Sequence, residues 1–296
     1  TYRNGTWYLD ANGNGMWNGA PPDKRFTFGS ANDTPVTGVW NVLGRTSIGV
    51  NRNVYFWMLD WNSNGVWQPF TDRTHVFIPS LLAADALKLG LSDEQIEREK
   101  TMAELADSLV EEFVWLGSYA GIVDALETDY FESMFQLLDR VDMPVTGDWN
   151  GDGRTQIGLF RDGIWFLDYN GNGHWDGTVQ DRVIASFGQS GDLPVAGDWN
   201  GDGISEIGVF RAGAWYLDYN GNGVYETGVD LYFRFGRVSE KPVVGDWAGN
   251  GFTSIGTQIG GRWYLDYNSN GTWDGVASDR FYSFGGSTDR PVSGQW

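Results

Sequence analysis

An all-β fold made of repeated four-stranded units is predicted by three short markers that recur at a nearly constant interval. The first marker is Trp-x-Leu-Asp, which begins at Trp7, Trp57, Trp165, Trp215 and Trp263. The second is Pro-Val-x-Gly-x-Trp, which begins at Pro35, Pro144, Pro194, Pro242 and Pro291. The third is Phe-Gly at Phe28, Phe187, Phe235 and Phe284, with Phe77 in the same place of the second unit but without the glycine.

These markers define five units of 48–50 residues and one longer interval of 108 residues between Trp57 and Trp165. In one copy, short β-rich runs at 157–160, 164–168, 182–188 and 193–199 are separated by Gly, Asn, Asp and Pro, which predicts four strands. Four-stranded units at this period are typical of β-propeller blades, and the meander favours a closed ring over a solenoid. The sequence therefore predicts a five-bladed β-propeller of four-stranded antiparallel blades.

The long interval holds an α-helical insertion, predicted at about 79–140 in the second blade, so that residues 1–78 and 141–296 form the propeller. A short helix is expected at 81–89, and Ser92 with Gln95 makes a capping box for a long helix ending near Trp115. A second long helix is predicted from apolar residues at helical spacing, which are Val123, Leu126, Tyr130, Met134 and Leu138. The apolar stripe of the insertion fits either packing on the propeller or a platform for a protein partner.

Strand direction places the loops. Successive strands of an antiparallel meander reverse, so alternate connections lie on the same face. Two loop types rich in Asp and Asn therefore share one face, and the insertion is expected on the other. Four copies of the Ile-Gly strand are visible, and the ring lacks one of twenty strands. Imperfect closure, continuation beyond this sequence and completion by another chain are all compatible with that count.

The loop after each Trp-x-Leu carries oxygen-bearing side chains at positions 1, 3, 5 and 9 and glycine at position 6. The five copies are Asp10, Asn12, Asn14 and Asn18; Asp60, Asn62, Asn64 and Gln68; Asp168, Asn170, Asn172 and Asp176; Asp218, Asn220, Asn222 and Glu226; and Asp266, Asn268, Asn270 and Asp274. Calcium takes six to eight such oxygens on a loop that winds around it. An ordinary hairpin turn also uses Asn-Gly, but it does not require Asp at position 1 and an oxygen donor at position 9 in every copy. We therefore predict Ca²⁺ sites.

A second series with the same spacing follows the Pro-Val-x-Gly marker. Its copies are Asp148, Asn150, Asp152 and Gln156, and Asp198, Asn200, Asp202 and Glu206. The corresponding loop at 39–43 has no acid, and Asp246 is followed by Ala248 and Asn250. Two calcium loops are predicted in this series.

The segment Gly-Asp-Trp-Asn-Gly-Asp-Gly-Ile-Ser-Glu-Ile-Gly-Val-Phe at 197–210 resembles the FG-GAP/VCBS-type repeat of integrin-α-like β-propellers. The resemblance covers all five units but not the insertion. It implies calcium in the Asp-x-Asp/Asn-x-Asp-Gly loops and a binding or adhesion role in an extracellular or cell-surface protein. The other loop series goes beyond the usual single calcium loop of that repeat and rests on spacing alone.

Composition excludes several classes of function. The net charge of −19 argues against nucleic acid or an anionic membrane as a partner, and no apolar run is long enough to span a bilayer. Zero cysteines exclude disulfides and thiolate metal sites. Between 80 and 140 there are 14 acidic and 4 basic residues, so about half of the negative charge lies in the insertion.

Fourteen of the 16 tryptophans occupy three repeat positions, which predicts packing between blades. Those after the loop glycine, Trp17, Trp67, Trp175 and Trp273, are the better candidates for stacking on sugars. His75 and His174 have no nearby serine and acid that would suggest a catalytic triad. The loop acids leave no separate carboxylate pair of the kind a glycosidase needs, so no enzyme activity is expected.

The function expected from these observations is non-catalytic. The first hypothesis is an extracellular or cell-surface calcium-binding module for protein interaction, adhesion or self-assembly, with the insertion or the ring edge as the contact. The alternative is a lectin-like propeller that binds carbohydrate at several loops. A polysaccharide hydrolase or lyase is the least supported class.

Overall fold

A computed structural model of the chain describes residues 1–41, 43–68, 71–116 and 142–295. Its strands form five antiparallel sheets. The first contains β1 (Tyr2–Arg3), β2 (Thr6–Leu9) and β3 (Lys24–Thr27); the second β4 (Thr34–Gly38), β5 (Ser47–Arg52), β6 (Phe56–Leu59) and β7 (Arg73–Val76); the third β8 (Met143–Gly147), β9 (Gln156–Arg161), β10 (Ile164–Leu167) and β11 (Arg182–Ile184); the fourth β12 (Leu193–Gly197), β13 (Glu206–Arg211), β14 (Ala214–Leu217) and β15 (Leu231–Arg234); and the fifth β16 (Lys241–Gly245), β17 (Ser254–Ile259), β18 (Arg262–Leu265) and β19 (Arg280–Ser283).

These sheets are the blades of a five-bladed β-propeller, as predicted. The five Pro-Val-x-Gly segments border one central space of about 480 Å³, so each of them is the innermost part of a blade. The inner strands β4, β8, β12 and β16 contact one another in sequence order around this axis. Strand order in each complete blade follows the chain from the axis to the rim.

The grouping of strands into blades differs from the prediction by one strand. Leu193–Gly197 was grouped with the strands before it, but it pairs with Glu206–Arg211 and so begins the next blade. A connection between neighbouring strands can close a hairpin or lead to the next sheet, and its sequence does not separate the two cases. The insertion consequently follows the outer strand of the second blade and leads to the third blade. The shared face of the two Asp/Asn-rich loop types is unaffected, because strand direction still alternates.

The two ends of the chain meet in the first blade. Tyr2 and Arg290 exchange backbone hydrogen bonds of 2.9 and 3.0 Å. Arg3 forms an ion pair with Asp289, the counterpart of the pair between Arg52 and Asp33 in the second blade. The C-terminal segment therefore takes the innermost position of the first blade and closes the ring.

The core lies between the blades and contains the repeat-specific tryptophans. Trp7, Trp165, Trp215 and Trp263 each donate from Nε1 to the carbonyl of the Phe-Gly phenylalanine in their own blade, at 2.7–2.9 Å. The Pro-Val-x-Gly-x-Trp indoles Trp40, Trp149, Trp199 and Trp247 donate to the carbonyl of the Ile-Gly isoleucine at 3.0–3.2 Å. Trp149 and Trp165 also pack with Ile207 and Val209 of the next blade, which confirms the predicted packing between blades.

The described part of the insertion contains α1 (Ala83–Lys88) and α2 (Asp93–Leu116). The capping box is present, since the Ser92 amide donates to Gln95 Oε1 and the Gln95 amide donates to Ser92 Oγ. The predicted second long helix lies outside the described residues. None of the described helices is long and apolar enough to cross a membrane.

The insertion packs on the face predicted for it. Arg98 of α2 donates to Asp162 in the β9–β10 turn at 3.2 Å, and this turn lies opposite the Asp/Asn-rich loops. Ile96 and Met102 of α2 join the same buried cluster as the second blade. Packing on the propeller, one of the two alternatives for its apolar stripe, is therefore the role of the part up to Met102.

A buried ion cluster fastens α2 to the third blade. Arg161 lies 3.0 Å from Glu99 of α2 and 2.9 Å from Asp142, and all three side chains are at most 5% exposed. Glu99 also accepts from the Leu81 amide, and the Tyr55 hydroxyl donates to Asp142 at 2.9 Å. The insertion thus completes a charge network that begins in the propeller.

Candidate metal sites in two series of loops

The loops that join the third and fourth strands of each blade, here called rim loops, cover 10–18, 60–68, 168–176, 218–226 and 266–274. Their first aspartate closes the loop. In the third blade, Asp168 accepts from the amides of Asn172 and Gly173 at 3.2 and 2.8 Å. The same two bonds recur in the other four copies. Position 1 is therefore aspartate in all copies because its two oxygens hold the turn.

The side chains at positions 3, 5 and 9 also converge. Asn170 and Asn172 donate from Nδ2 to Asp176 Oδ2 at 2.9 and 2.6 Å. Equivalent donors meet Asn18, Gln68, Glu226 and Asp274 in the other copies. The structure thus brings together all four predicted positions in all five loops.

The rim loops satisfy these polar groups by their own hydrogen bonds. The amide oxygens of Asn170 and Asn172 accept from backbone amides at 2.9 and 2.8 Å, while their nitrogens face the position 9 carboxylate. A half-turn of each amide would aim two oxygens at that carboxylate, but it would also point both nitrogens at the backbone amides and so break these two hydrogen bonds. The donor set fits calcium, and the hydrogen bonds alone also make a stable turn.

A second aspartate in each rim loop was missed in the sequence. It directly precedes the fourth strand and accepts the amides of positions 2 and 9 at 2.6–3.2 Å. The five residues are Asp23, Asp72, Asp181, Asp230 and Asp279. Burial raises the pKa of Asp168 to about 7, and the negative charge of Asp181 adds to the rise. Recurrence in five of five units was the signal that could have identified this aspartate.

The glycine at position 6 serves a contact as well as a turn. Its φ is +75° to +82° in the five copies, a conformation that favours glycine. An added Cβ would also meet a side chain of the preceding blade within 3 Å. The pairs are Gly15 with Tyr282, Gly65 with Phe26, Gly173 with His75, Gly223 with Ile184, and Gly271 with Phe233.

Burial lowers the pKa of His75 to about 4, and repulsion from His174 contributes.

The loops that join the first and second strands, here called hub loops, include 148–156 and 198–206. In the second of these, carboxylate oxygens of Asp198, Asp202 and Glu206 lie within 4.8 Å of one another. Within the described part of the chain, this is the one group of three acidic or histidine side chains that meets so closely. It lies next to a cavity of about 180 Å³ that the rim-loop residues Asp218 and Asn220 also line.

Acidic side chains are crowded in this hub loop. Glu206 is 5% exposed, and burial raises its pKa to about 8, with the charges of Asp202, Asp198 and Asp218 adding to the rise. Asn200 Nδ2 donates to Glu206 and Asp202 at 3.2 and 3.1 Å. Backbone amides also donate to each of the three carboxylates, so the loop is held together without an ion in the structure. Three carboxylates and one side-chain amide oxygen are nevertheless ligands of the type that calcium takes.

The other hub loops carry less charge. Gln156 stands in the place of Glu206, and its Nε2 donates to Asn150 and Asp152 at 3.3 and 3.1 Å. The loop at 39–43 has no acid, as expected, and Asn41 donates to the Trp61 carbonyl instead. In the remaining hub loop, which begins at Asp246, this aspartate accepts from the amides of Asn250 and Gly251.

The loop-end tryptophans are packed to different degrees. Trp175 packs edge-to-face on Phe77 and Phe166, and its Nε1 donates to the Ser80 carbonyl at 2.9 Å. Trp17 and Trp273 are 41% and 38% exposed. Within this set, Trp17 and Trp273 therefore have the most room for a sugar ring to stack.

The fold and these loops define a five-bladed β-propeller with repeated Asp- and Asn-rich loops on one face. No protein-family model matches the chain, and no curated protein sequence matches it significantly. The resemblance to FG-GAP/VCBS-type repeats therefore rests on the loop residues themselves.

Proposed function

We propose that the protein is a calcium-binding β-propeller that acts outside the cell or at the cell surface as a non-catalytic module for protein interaction, adhesion or surface assembly. The observation that carries the calcium proposal is the convergence of Asp198, Asp202 and Glu206 in one hub loop. The five rim loops support it, because each brings its four predicted oxygen-bearing positions together.

Calcium would be held in the hub loop at 198–206 by Asp198, Asn200, Asp202 and Glu206. Its positive charge would offset the repulsion between the crowded carboxylates. The propeller residues then keep the loops in place. Asp198 accepts three backbone amides at 2.6–3.1 Å, so its side chain is already oriented before any ion binds. Such preorganisation favours affinity, because little ordering remains for the binding step.

The two hub loops provide a reciprocal test, because Glu206 and Gln156 occupy equivalent positions. Glu206→Gln is expected to weaken calcium affinity at the 198–206 loop at least about tenfold, since calcium affinity follows the number of carboxylate ligands. Gln156→Glu is expected to increase calcium affinity at the 148–156 loop. Isothermal calorimetry on chelator-treated protein measures both changes as ion stoichiometry and affinity.

Glu97→Gln is the matched control, because it removes the same charge from a side chain that is 71% exposed on α2. It should leave the calorimetric titration unchanged. Identical titrations for Glu206→Gln and the unmodified chain, or no calcium uptake by either, would refute the assignment of this hub site.

The interaction role is supported by three features of the molecule. The loops form a repeated acidic face, the net charge is −19, and the described part of the acidic insertion packs on the other face. Calcium would neutralise part of the loop charge and so reduce repulsion between copies. Sedimentation velocity of the full chain is expected to show self-association in millimolar calcium that a chelator reverses. A monomer under both conditions would argue against self-assembly and leave a separate protein as the partner.

A further inference from the structure

Positive charge gathers at one place on a chain that is strongly acidic overall. On the face that carries the insertion, the ends of the fifth and first blades are formed by the segments 2–6, 28–34, 235–241, 259–262 and 284–290. Their basic residues are Arg3, Arg237, Lys241, Arg262 and Arg290, and their acidic residues are Asp33, Glu240 and Asp289. The local net charge is therefore positive, although the whole chain carries −19. This surface is here called the basic patch.

The three acids of the basic patch are withdrawn from its surface. Asp33 and Asp289 are at most 1% exposed, and each forms an ion pair with an arginine. Glu240 is half-buried and accepts from the Thr257 hydroxyl at 2.8 Å. None of the carboxylates in these five segments is therefore exposed to a partner.

Four of the cations in the patch have no carboxylate partner among the described residues. Arg237 and Arg262 are exposed and form no ion pair there. Lys241 and Arg290 donate to backbone carbonyls of adjoining loops at 3.1 and 2.7 Å. Burial lowers the pKa of Lys241, and the positive charge of Arg290 adds to this effect, while the Asp289 carboxylate opposes it. The patch thus offers positive charge that the described part of the chain does not neutralise.

A surface of opposite charge lies on the first part of α2. Asp93, Glu97 and Glu104 are spaced by four and seven residues, which places them on one side of the helix. These three residues and Glu94 are exposed, and the residues that pack on the propeller lie on the other side. Over its whole length α2 has eight acidic and two basic residues. The four exposed carboxylates are here called the acidic stripe.

The patch and the stripe share one face of the ring but lie at different blades. The ion pair between Glu99 and Arg161 fastens α2 to the third blade, whereas the patch belongs to the fifth and first. Two copies can turn these faces toward each other about a two-fold axis parallel to the rings. The stripe of each copy then lies over the patch of the other, and both contacts form at once. Closed two-fold dimers of this kind are the commonest homo-oligomers.

We propose that the protein forms a face-to-face dimer in which the acidic stripe of each copy binds the basic patch of the other. The inference rests on the self-assembly part of the proposed function and names the surfaces that carry it. Complementary charge across an interface fixes the partner and its orientation and speeds association. The rim and hub loops lie on the opposite face, so calcium would reduce repulsion between copies without touching either surface.

The test is a charge exchange between the two surfaces, followed by sedimentation velocity of the full chain in millimolar calcium. The patch variant is Arg237→Glu with Arg262→Glu, and the stripe variant is Glu94→Lys with Glu104→Lys. Each alone is expected to raise the dimer Kd at least about tenfold, because like charges then face each other in both contacts. The stripe variant should lose the dimer even though it lowers the net negative charge.

An equimolar mixture of the two variants is expected to form a 1:1 dimer with a Kd within a few-fold of that of the unmodified chain. In this mixed dimer each contact again joins opposite charges, and its formation shows that both variants are folded.

Arg25→Glu with Arg45→Glu is the matched control, because it makes the same charge change at exposed residues away from the insertion face. Its dimer Kd should stay within a few-fold of the unmodified value. The dimer contact is refuted if either surface variant associates like the unmodified chain, if the control loses as much affinity as the patch variant, or if mixing restores no dimer. These outcomes leave the proposed function standing. A chain that is monomeric in calcium overturns self-assembly as a whole, and calorimetry on the 198–206 loop decides the calcium assignment separately.

Discussion

Millimolar calcium is expected to raise the melting temperature of the chelator-treated protein by several degrees for each occupied loop. A ligand that binds the native state alone stabilises it by about 2.7 kcal/mol at one hundred times its Kd. For a chain of this size, each kcal/mol raises the melting temperature by about 2–4 °C. Several occupied loops together would therefore raise the melting temperature further than one alone.

The control must separate site binding from screening, because any cation reduces repulsion in a chain of charge −19. Magnesium at equal concentration and sodium chloride at equal ionic strength serve this purpose. Magnesium prefers a small octahedral shell with several waters and suits these loops less well. Equal shifts in all three salts would assign the effect to screening. An unchanged melting temperature in calcium would mean that the rim loops are hydrogen-bonded turns and not calcium sites.

Arg161→Leu is expected to lower the free energy of unfolding by about 3–5 kcal/mol, the range for breaking a buried ion pair. The substitution removes the guanidinium that faces the carboxylates of Glu99 and Asp142, whose side chains are at most 3% exposed. Urea or thermal unfolding measures the loss, which corresponds to a decrease of roughly 6–20 °C in the melting temperature.

Arg211→Leu is the matched control, because Arg211 holds the same position in the next blade and pairs with Asp192. Its side chain is 35% exposed, against 5% for Arg161, so water can solvate Asp192 after the change. The expected loss is smaller, about 1–3 kcal/mol. Adding Glu99→Leu to Arg161→Leu removes one of the two carboxylates that face Arg161 and should recover part of the stability. Equal losses for the two arginine variants would contradict the role assigned to the buried cluster.

The five blades could be predicted because the repeated markers are core positions. Trp165 and Phe187, for example, are joined by a hydrogen bond of 2.7 Å within one blade, and selection for that contact leaves a visible period. The start of each blade could not be predicted in the same way. Leu193–Gly197 follows one sheet along the chain but pairs with the next sheet. Only the hydrogen bonds of the folded chain show which of the two sheets contains this strand.

The candidate sites were predicted in outline. Convergence of Asp168, Asn170, Asn172 and Asp176 follows from their spacing on a tight loop, and the structure brings them together. The pairing of Arg161 with Glu99 could not be predicted, because it joins residues 62 positions apart through the docking of the insertion.

The contact between each rim-loop glycine and the preceding blade has a consequence for the ring as a whole. Every rim loop touches one neighbour through its glycine, and every neighbour in turn carries a rim loop, so the five contacts form a closed circle. Units coupled only to their nearest neighbours behave like a one-dimensional cooperative array. In an open array the two terminal units are coupled on one side only, whereas a circle has no terminal unit. Each of the five blades is therefore in contact with a neighbour on both sides at its rim, and none of them occupies an end position.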